Sequence, residues 1–328
     1  MVTSREPPAP GSLLPAPPIL LAGPTAVGKS EVALLLAEQL GGEIISFDSM
    51  QVYRGLDIGT AKPSPAQRAR VPHHLIDVAD VTEPFDAATF AKLAHQAARE
   101  IPSRGHVPVL CGGTGLYFRA FQDGLGAAPP ADPKLRAELA ATPLAELLRE
   151  LAQRDPVTYE KIDRRNPRRV IRAVEAIRLT GQPFSAQRAN WNPAARSRQP
   201  AARCFGLTRA ATDLRARIDT RVEQMFQRGV VEETRQLLER GLDQNRTAMQ
   251  AIGYRQIVEH LRGERSLPET IELVKTRTRQ FAKRQMTWFR RQTSLNWIQL
   301  APTDEPAAVV KGICQLILPH AKDAQDAS

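Results

Sequence analysis

The residues Gly23-Pro24-Thr25-Ala26-Val27-Gly28-Lys29-Ser30 follow the spacing G-x-x-x-x-G-K-S/T. That spacing suits an anion. Consecutive backbone N–H groups of such a loop point at phosphate oxygens, and the positive end of the following helix strengthens the field. Lys29 contributes a point charge, and the Ser30 hydroxyl can ligate Mg²⁺. The pattern needs a strand before it and a helix after it. The apolar run Ile19-Leu20-Leu21-Ala22 reads as that strand, and 31–40 as that helix. The motif speaks for bound phosphate without naming the molecule that carries it. A chance glycine-rich turn is the alternative.

Two further polar groups fall at the ends of predicted strands. Glu43-Ile44-Ile45-Ser46-Phe47 runs into Asp48-Ser49, and Val107-Pro108-Val109-Leu110-Cys111 runs into Gly112-Gly113-Thr114. Leu75-Ile76-Asp77-Val78 reads as another short strand, and 85–101 has helical spacing. Strands alternating with helices imply a parallel sheet with right-handed crossovers, whose ligands bind at the carboxyl ends of the strands. The expected fold is α/β, a P-loop NTPase-like parallel sheet flanked by helices. The phosphate loop, Asp48 and Thr114 should then meet in one crevice.

Residues 18–123 and 204–320 are assigned to that α/β domain and its C-terminal helices. Between them, 124–203 reads as an inserted all-helical subdomain, broken near Pro133, Pro143, Pro156, Pro167 and Pro183. Cys204-Phe205-Gly206-Leu207 looks like a strand returning to the sheet. Helices follow over 213–228, 230–240 and 268–291, then a last strand over 295–300. The proline-rich residues 1–17 read as a disordered leader and 321–328 as a loose tail.

The chain of 328 residues is 42% apolar and 24% charged, which suits a globular protein with a substantial core. No apolar run approaches the ~20 residues that a membrane span needs. Cys111, Cys204 and Cys314 are odd in number and far apart, which fits neither a disulfide framework nor a zinc ribbon and suits a reducing cytoplasm. Cys111, inside a strand pattern, reads as core rather than nucleophile.

The net charge of +10 suits a polyanionic partner if the charge is clustered. Two clusters stand out. One is Arg164, Arg165, Arg168, Arg169, Arg172 and Arg178. The other is Lys275, Arg277, Arg279, Lys283, Arg284, Arg290 and Arg291, interleaved with Phe281, Trp288 and Phe289. Such segments bind RNA or DNA through phosphate contacts and base stacking, or they are solvated helix faces. Arg217 and Arg221, four residues apart, share one helix face. They can clamp a diphosphate, or pair with Asp213, Asp219 or Glu223.

Taken together the motifs resemble the tRNA dimethylallyltransferase (tRNA isopentenyltransferase) family. The matching stretches are GPTAVGKS at Gly23, ISFDSMQVYRGLDIGTAKP at Ile45, PHHLID at Pro72, FDAATF at Phe85 and VPVLCGGTGLYFRA at Val107. NPRRVIRAVEAI at Asn166, MQAIGYRQI at Met249 and FAKRQMTWFRR at Phe281 complete the series in the family's order. The resemblance implies transfer of a dimethylallyl group from dimethylallyl diphosphate to N6 of adenine-37, beside the tRNA anticodon. The loop Gly23, Pro24, Thr25, Ala26, Val27, Gly28, Lys29 and Ser30 would hold the diphosphate with Mg²⁺ on Ser30, assisted by Arg217 and Arg221. Asp48 would be the general base, with Thr114 and Arg217 as further catalytic residues.

The tRNA would be met by Asp48, Ser49, Met50, Gln51, Thr114 and Arg136. Further contacts implied are Arg168, Arg169, Val170, Ile171 and Arg172, then Gln250, Ala251, Ile252, Gly253, Tyr254 and Arg255. The last group is Lys283, Arg284, Gln285, Met286, Thr287, Trp288, Phe289 and Arg290. The adenine would be flipped into the site, and the inserted helices would form the lobe that contacts the anticodon stem-loop. Eukaryotic relatives often add a zinc finger; this chain has no matching Cys/His set, so no zinc is expected. A cytoplasmic monomer suits an enzyme that wraps its RNA. Read from residues alone, a small phosphate-loop kinase and a non-catalytic RNA-binding protein remain rivals.

Overall fold

The computed structural model describes residues 18–189 and 203–317. The leader and tail expected at 1–17 and 321–328 lie outside them. Six strands form one sheet, all neighbours parallel, in the order β3-β2-β4-β1-β5-β6. They are β1 (Ile19–Ala22), β2 (Gly42–Phe47), β3 (His73–His74), β4 (Val107–Gly112), β5 (Cys204–Arg209) and β6 (Asn296–Leu300). The central strands are continuous apolar runs because helices cover both faces. β1 pairs with β4 in the register Leu20↔Leu110 and with β5 in the register Leu21↔Phe205. The carboxyl ends of β1 and β4 therefore finish level, Ala22 beside Gly112, while β5 runs on to Arg209.

α1 (Lys29–Leu40) and α14 (Pro306–Ile317) cover one face. Val32, Leu36, Val310 and Ile313 share a core there with Ile19, Leu21, Ile44 and Val109. α3 (Ala87–Ser103) brings Phe90 edge-on to Phe47, with centroids 4.7 Å apart, and flat on Tyr117 at 3.9 Å. Tyr117 belongs to α4 (Gly115–Asp123). Phe118 of α4 meets Phe289 of the long α13 (Leu267–Gln292) edge-on. α2 (Pro65–Arg70), α10 (Ala211–Gln227), α11 (Val230–Glu239) and α12 (Tyr254–Leu261) complete this unit.

The strand expected at 75–78 is not formed. β3 is the preceding pair, His73–His74, bonded to Ile44 and Ile45. Leu75 and Asp77 have φ of 62° and 57°, which turn the chain out of the sheet. The Asp77 carboxylate holds that turn, paired with Lys62 at 2.6 Å and Arg68 at 2.7 Å.

The chain divides into two compact units, 1–118 with 196–328, and 119–195. The boundary falls inside α4. The second unit contains α5 (Pro133–Ala141), α6 (Leu144–Arg154), α7 (Pro156–Lys161), α8 (Pro167–Thr180) and α9 (Phe184–Gln187). Its prolines start helices. Pro133, Pro156 and Pro167 occupy first turns, where a missing N–H costs nothing, behind the caps Asp132, Asp155 and Asn166. Leu139, Leu147, Leu151, Val170 and Val174 form its core. The carboxylate of Glu175, fully buried, binds Arg136 at 2.9 Å, Arg172 at 2.7 Å and the Asp132 N–H at 3.0 Å.

No helix among the described residues is long and apolar enough to cross a membrane. Glu175→Gln should lower stability by about 1–3 kcal/mol, because both guanidinium groups freed by the change can reach water. The midpoint of urea unfolding, followed by circular dichroism, checks this.

Candidate functional site

The phosphate loop lies between β1 and α1. Gly28 precedes α1 at φ 108°, and Gly23 lies so close to β5 that an added Cβ would sit 2.6 Å from the Leu207 carbonyl oxygen. A loop that turns N–H groups inward turns carbonyls outward, and side chains take them up. Lys29 Nζ donates to Pro24 O at 2.6 Å, Arg217 Nε to Ala26 O at 3.0 Å, and Arg209 Nε to Val27 O at 2.9 Å. The Thr25 N–H donates to Gln285 Oε1 at 2.9 Å.

The loop opens on a crevice of about 1220 Å³. Lys29, Ser30, Asp48, Ser49, Met50, Gln51, Thr114, Arg217 and Arg221 all border it, with Gln250, Ala251, Ile252, Phe281 and Arg284 farther round. The three strand ends therefore do meet, as parallel topology requires. Asp48 Oδ1 accepts the N–H groups of Met50 at 2.9 Å and Gln51 at 3.3 Å, whereas Oδ2 has no hydrogen-bond partner among the described residues. Thr114 Oγ1 accepts the Ser49 N–H at 3.1 Å and so braces the turn that carries Asp48.

Arg217 and Arg221 have no acidic partner among the described residues. The three carboxylates within reach are taken: Asp213 by Arg209 at 2.9 Å, Asp219 by Arg279 at 3.2 Å and Glu223 by Lys275 at 2.8 Å. Arg221 reaches only the Thr60 carbonyl, at 3.4 Å. Burial pulls its guanidinium below the usual range, with Asp48 opposing. Burial also brings the Lys29 ammonium down to about 8; Cys111 and Asp48 nearby oppose this and Arg221 adds to it. Three cations facing one crevice with Asp48 as the nearby opposing charge among the described residues are stabilised by a multivalent anion. The Cys111 thiol is pushed up to about 11 by burial, which keeps it protonated and poorly nucleophilic.

Mg²⁺ fits this crevice only on sparse protein ligation. No group of three or more His, Cys, Asp or Glu suited to a metal exists among the described residues. Magnesium that is held largely by phosphate oxygens and water needs few protein ligands. Ser30, exposed on the first turn of α1, could supply one oxygen.

Two residues outside the expected set shape the wall opposite the loop. Glu233 on α11 accepts the N–H groups of Ile58 at 2.8 Å, Gly59 at 3.4 Å and Asp57 at 3.3 Å, together with the Tyr254 hydroxyl at 2.6 Å. Lys62 clamps the same loop, donating to Tyr53 O at 2.8 Å. Gln51 Nε2 then holds Thr60 O at 3.2 Å. Nothing local in the sequence marks Glu233; its role depends on α11 lying beside this loop.

Several residues expected to touch RNA are instead interior. Val170 is 0% exposed in the helical core, Tyr254 is 0% exposed with its ring against Gly59, and Phe289 is 1% exposed against Phe118. Gly253 is buried as well, while Ala251 and Gln285, with little exposure, border the crevice, and Gln285 spends its amide on the loop. Each lies on the inner side of the segment whose outer side carries the charge. Arg136 and Arg172 are tied to Glu175, and Arg255 to Glu259 at 3.1 Å. Ile171 and Met286 are half-buried. The outer face remains: Lys283, Arg284, Thr287, Arg290 and Arg291 are exposed, and none of these cations has an acidic partner among the described residues. A concavity of about 540 Å³ runs along this face, with Trp288 in its wall. In the helical unit Arg168 and Arg169 are exposed and unpaired in the same sense.

Fold and site together define a phosphate-loop α/β protein with a cation-lined crevice and a basic surface. A family profile described as IPP transferase matches residues 51–292. The chain is 46% identical over 287 residues to a tRNA dimethylallyltransferase of Geobacter metallireducens, covering 86% of this chain and 92% of that one. It is 41% identical over 306 residues to the tRNA dimethylallyltransferase of Pelotomaculum thermopropionicum, covering 91% and 96%. Among solved structures, the tRNA isopentenylpyrophosphate transferase of Bacillus halodurans superposes with TM-score 0.65 at 38% identity, covering 94% and 98%. A eukaryotic dimethylallyltransferase captured acting on tRNA superposes with TM-score 0.68 at 27% identity, covering 86% and 73%. The chain belongs to the IPP transferase family, the tRNA dimethylallyltransferases.

The Lys29 shift has a testable sign. An ammonium that titrates near 8 in the free protein is charged below that pH and lost above it. Affinity for sulfate, whose own charge is constant, should fall as pH rises from 7 to 10. Lys29→Arg should keep affinity level over that range. Calorimetric titration at several pH values checks both.

Proposed function

We propose that the chain transfers a dimethylallyl group from dimethylallyl diphosphate to N6 of adenine-37 in tRNA, releasing diphosphate. The observation that carries this reading is the meeting of Lys29, Arg217 and Arg221, none ion-paired among the described residues, with an Asp48 carboxylate whose Oδ2 has no hydrogen-bond partner among them.

In this reading the loop amides and the three cations hold the diphosphate. Magnesium, when bound at Ser30, would supply further charge neutralisation for the leaving group. The bond between C1 of the donor and the diphosphate oxygen breaks, and its electron pair leaves with the diphosphate. The N6 lone pair forms the new C–N bond. Asp48 Oδ2 takes the proton that N6 sheds, while the amides of Met50 and Gln51 keep Oδ1 fixed. Thr114 and Ser49 hold that turn in place.

An adenine reaches this carboxylate only if it is flipped from the anticodon stem-loop, entering beside Ser49, Met50 and Gln51. The backbone of the RNA would follow the outer face of α13, with Lys283, Arg284, Thr287 and Arg290, and the Arg168–Arg169 surface of the helical unit, which we assign to the tRNA-contacting lobe. No disulfide joins Cys111, Cys204 and Cys314 among the described residues, in keeping with action in a reducing cytoplasm, and a monomer is the simplest form consistent with this scheme.

Purified protein, labelled dimethylallyl diphosphate and an anticodon stem-loop RNA test the reading directly. Label should enter the RNA; ATP turnover without labelled RNA would point to a kinase. Asp48→Asn should reduce transfer by about 10²- to 10⁴-fold with RNA affinity nearly unchanged. Arg284→Ala with Arg290→Ala should weaken RNA binding and lower its salt slope by about one to two. Filter binding at several salt concentrations measures that slope.

A further inference from the structure

We infer that Gln285 is a positioning residue that sets the spacing between the diphosphate cradle and the base, and that it is not an RNA contact. This rests on the transfer reaction proposed above. Gln285 lies on α13 between Arg284 and Met286, yet it is 8% exposed and sits at the border of the crevice rather than on the outer basic face. Its amide bridges the two loops that leave the paired strands β1 and β4. Oε1 accepts the Thr25 N–H at 2.9 Å, and Nε2 donates to Gly113 O at 2.8 Å.

Both ends matter to the chemistry. Thr25 belongs to the phosphate loop. Its N–H is turned toward Gln285, which leaves the cradle to the residues that follow it. Gly113 precedes Thr114, whose hydroxyl braces the turn that carries Asp48. One amide therefore fixes the donor side against the acceptor side. A Cβ at position 113 would lie 2.3 Å from Nε2, so a side chain there must displace the amide. An amide suits position 285 because one end must accept and the other donate. A carboxylate would lack the donor and would add negative charge beside the diphosphate.

The role predicts a split between turnover and RNA affinity. Gln285→Met keeps length and burial but removes both hydrogen bonds. It should lower kcat at saturating tRNA by about 10- to 100-fold, as small misplacements of reacting groups do. The Kd for tRNA measured without donor should change by less than about threefold. Gln285→Glu, which keeps the acceptor for Thr25, should fall between Gln285→Met and the wild type only if the Thr25 bond dominates. A level below Gln285→Met would assign the larger share to the Gly113 bond and to charge, which is still a positioning role.

Gly113→Ala offers an independent route, because it leaves the glutamine in place and displaces its amide. It should reproduce the kcat loss, and adding it to Gln285→Met should cause little further loss. Should Gln285→Met fail to fold, Gly113→Ala carries the test. A tenfold weaker tRNA Kd with normal kcat would overturn the proposal in favour of an RNA contact. Normal kcat and normal Kd in both variants would overturn it outright. If the wild-type protein labels no RNA, the reaction assigned above fails. The tie to the loop is then read from sulfate affinity, which Gln285→Met should lower by about threefold or more; an unchanged affinity would overturn the tie as well.

Discussion

An anion site made of backbone amides depends on what happens behind it. Peptide groups are two-ended, so a loop that offers N–H groups to a ligand must dispose of carbonyls on its other side. Here Lys29, Arg209 and Arg217 take the carbonyls of Pro24, Val27 and Ala26, and Gln285 takes the Thr25 N–H. These partners come from α1, β5, α10 and α13, so the loop is held by four separate parts of the chain. The cradle is in that sense a product of the whole α/β unit. Its shape is set before any ligand arrives, and so little ordering has to accompany binding.

Charge is arranged on the same principle. Helix α10 carries acids near its arginines, and in isolation those groups would neutralise one another. Packing against α13 removes two of the acids, because Arg279 and Lys275 claim Asp219 and Glu223, and Arg209 claims Asp213. Arg217 and Arg221 are left facing the crevice with Lys29. The result is a concentrated positive field at the strand ends, opposed within the crevice by Asp48 alone among the cited charges. In the proposed reaction, a carboxylate that must stay anionic beside a leaving diphosphate would gain from such neighbours.

Helix α13 serves two roles through two faces. Its inner face contributes Ala282, Gln285 and Phe289, which pack on the sheet side and tie the loop. Its outer face presents Lys283, Arg284, Thr287 and Arg290 to solvent. Helical periodicity separates residues adjacent in sequence into structural and surface groups. The run from Lys283 to Arg290 therefore cannot act as one contact surface, although a linear motif reads as one. The same separation puts Val170 in the core of the helical unit while Arg168 and Arg169 face outward.

The sequence alone determined the class of fold and the chemistry of the loop, because both follow from local patterns. Apolar strand runs, a glycine-lysine-serine turn and polar residues at strand ends are short-range signals, and parallel topology then brings those ends together. Its errors were also local. Leu75–Val78 has strand composition, yet positive φ at Leu75 and Asp77, stabilised by Lys62 and Arg68, turns it away from the sheet. The helix breaks read at the prolines, by contrast, do fall between helices, each proline lying at the start of the next one. Tertiary structure decided which acids neutralise which bases, which side of α13 is buried, and that Glu233 and Gln285 organise the walls of the crevice. Most of those outcomes depend on contacts between residues far apart in the chain, up to 260 positions for Gln285 and Thr25, and no spacing within a linear sequence specifies them.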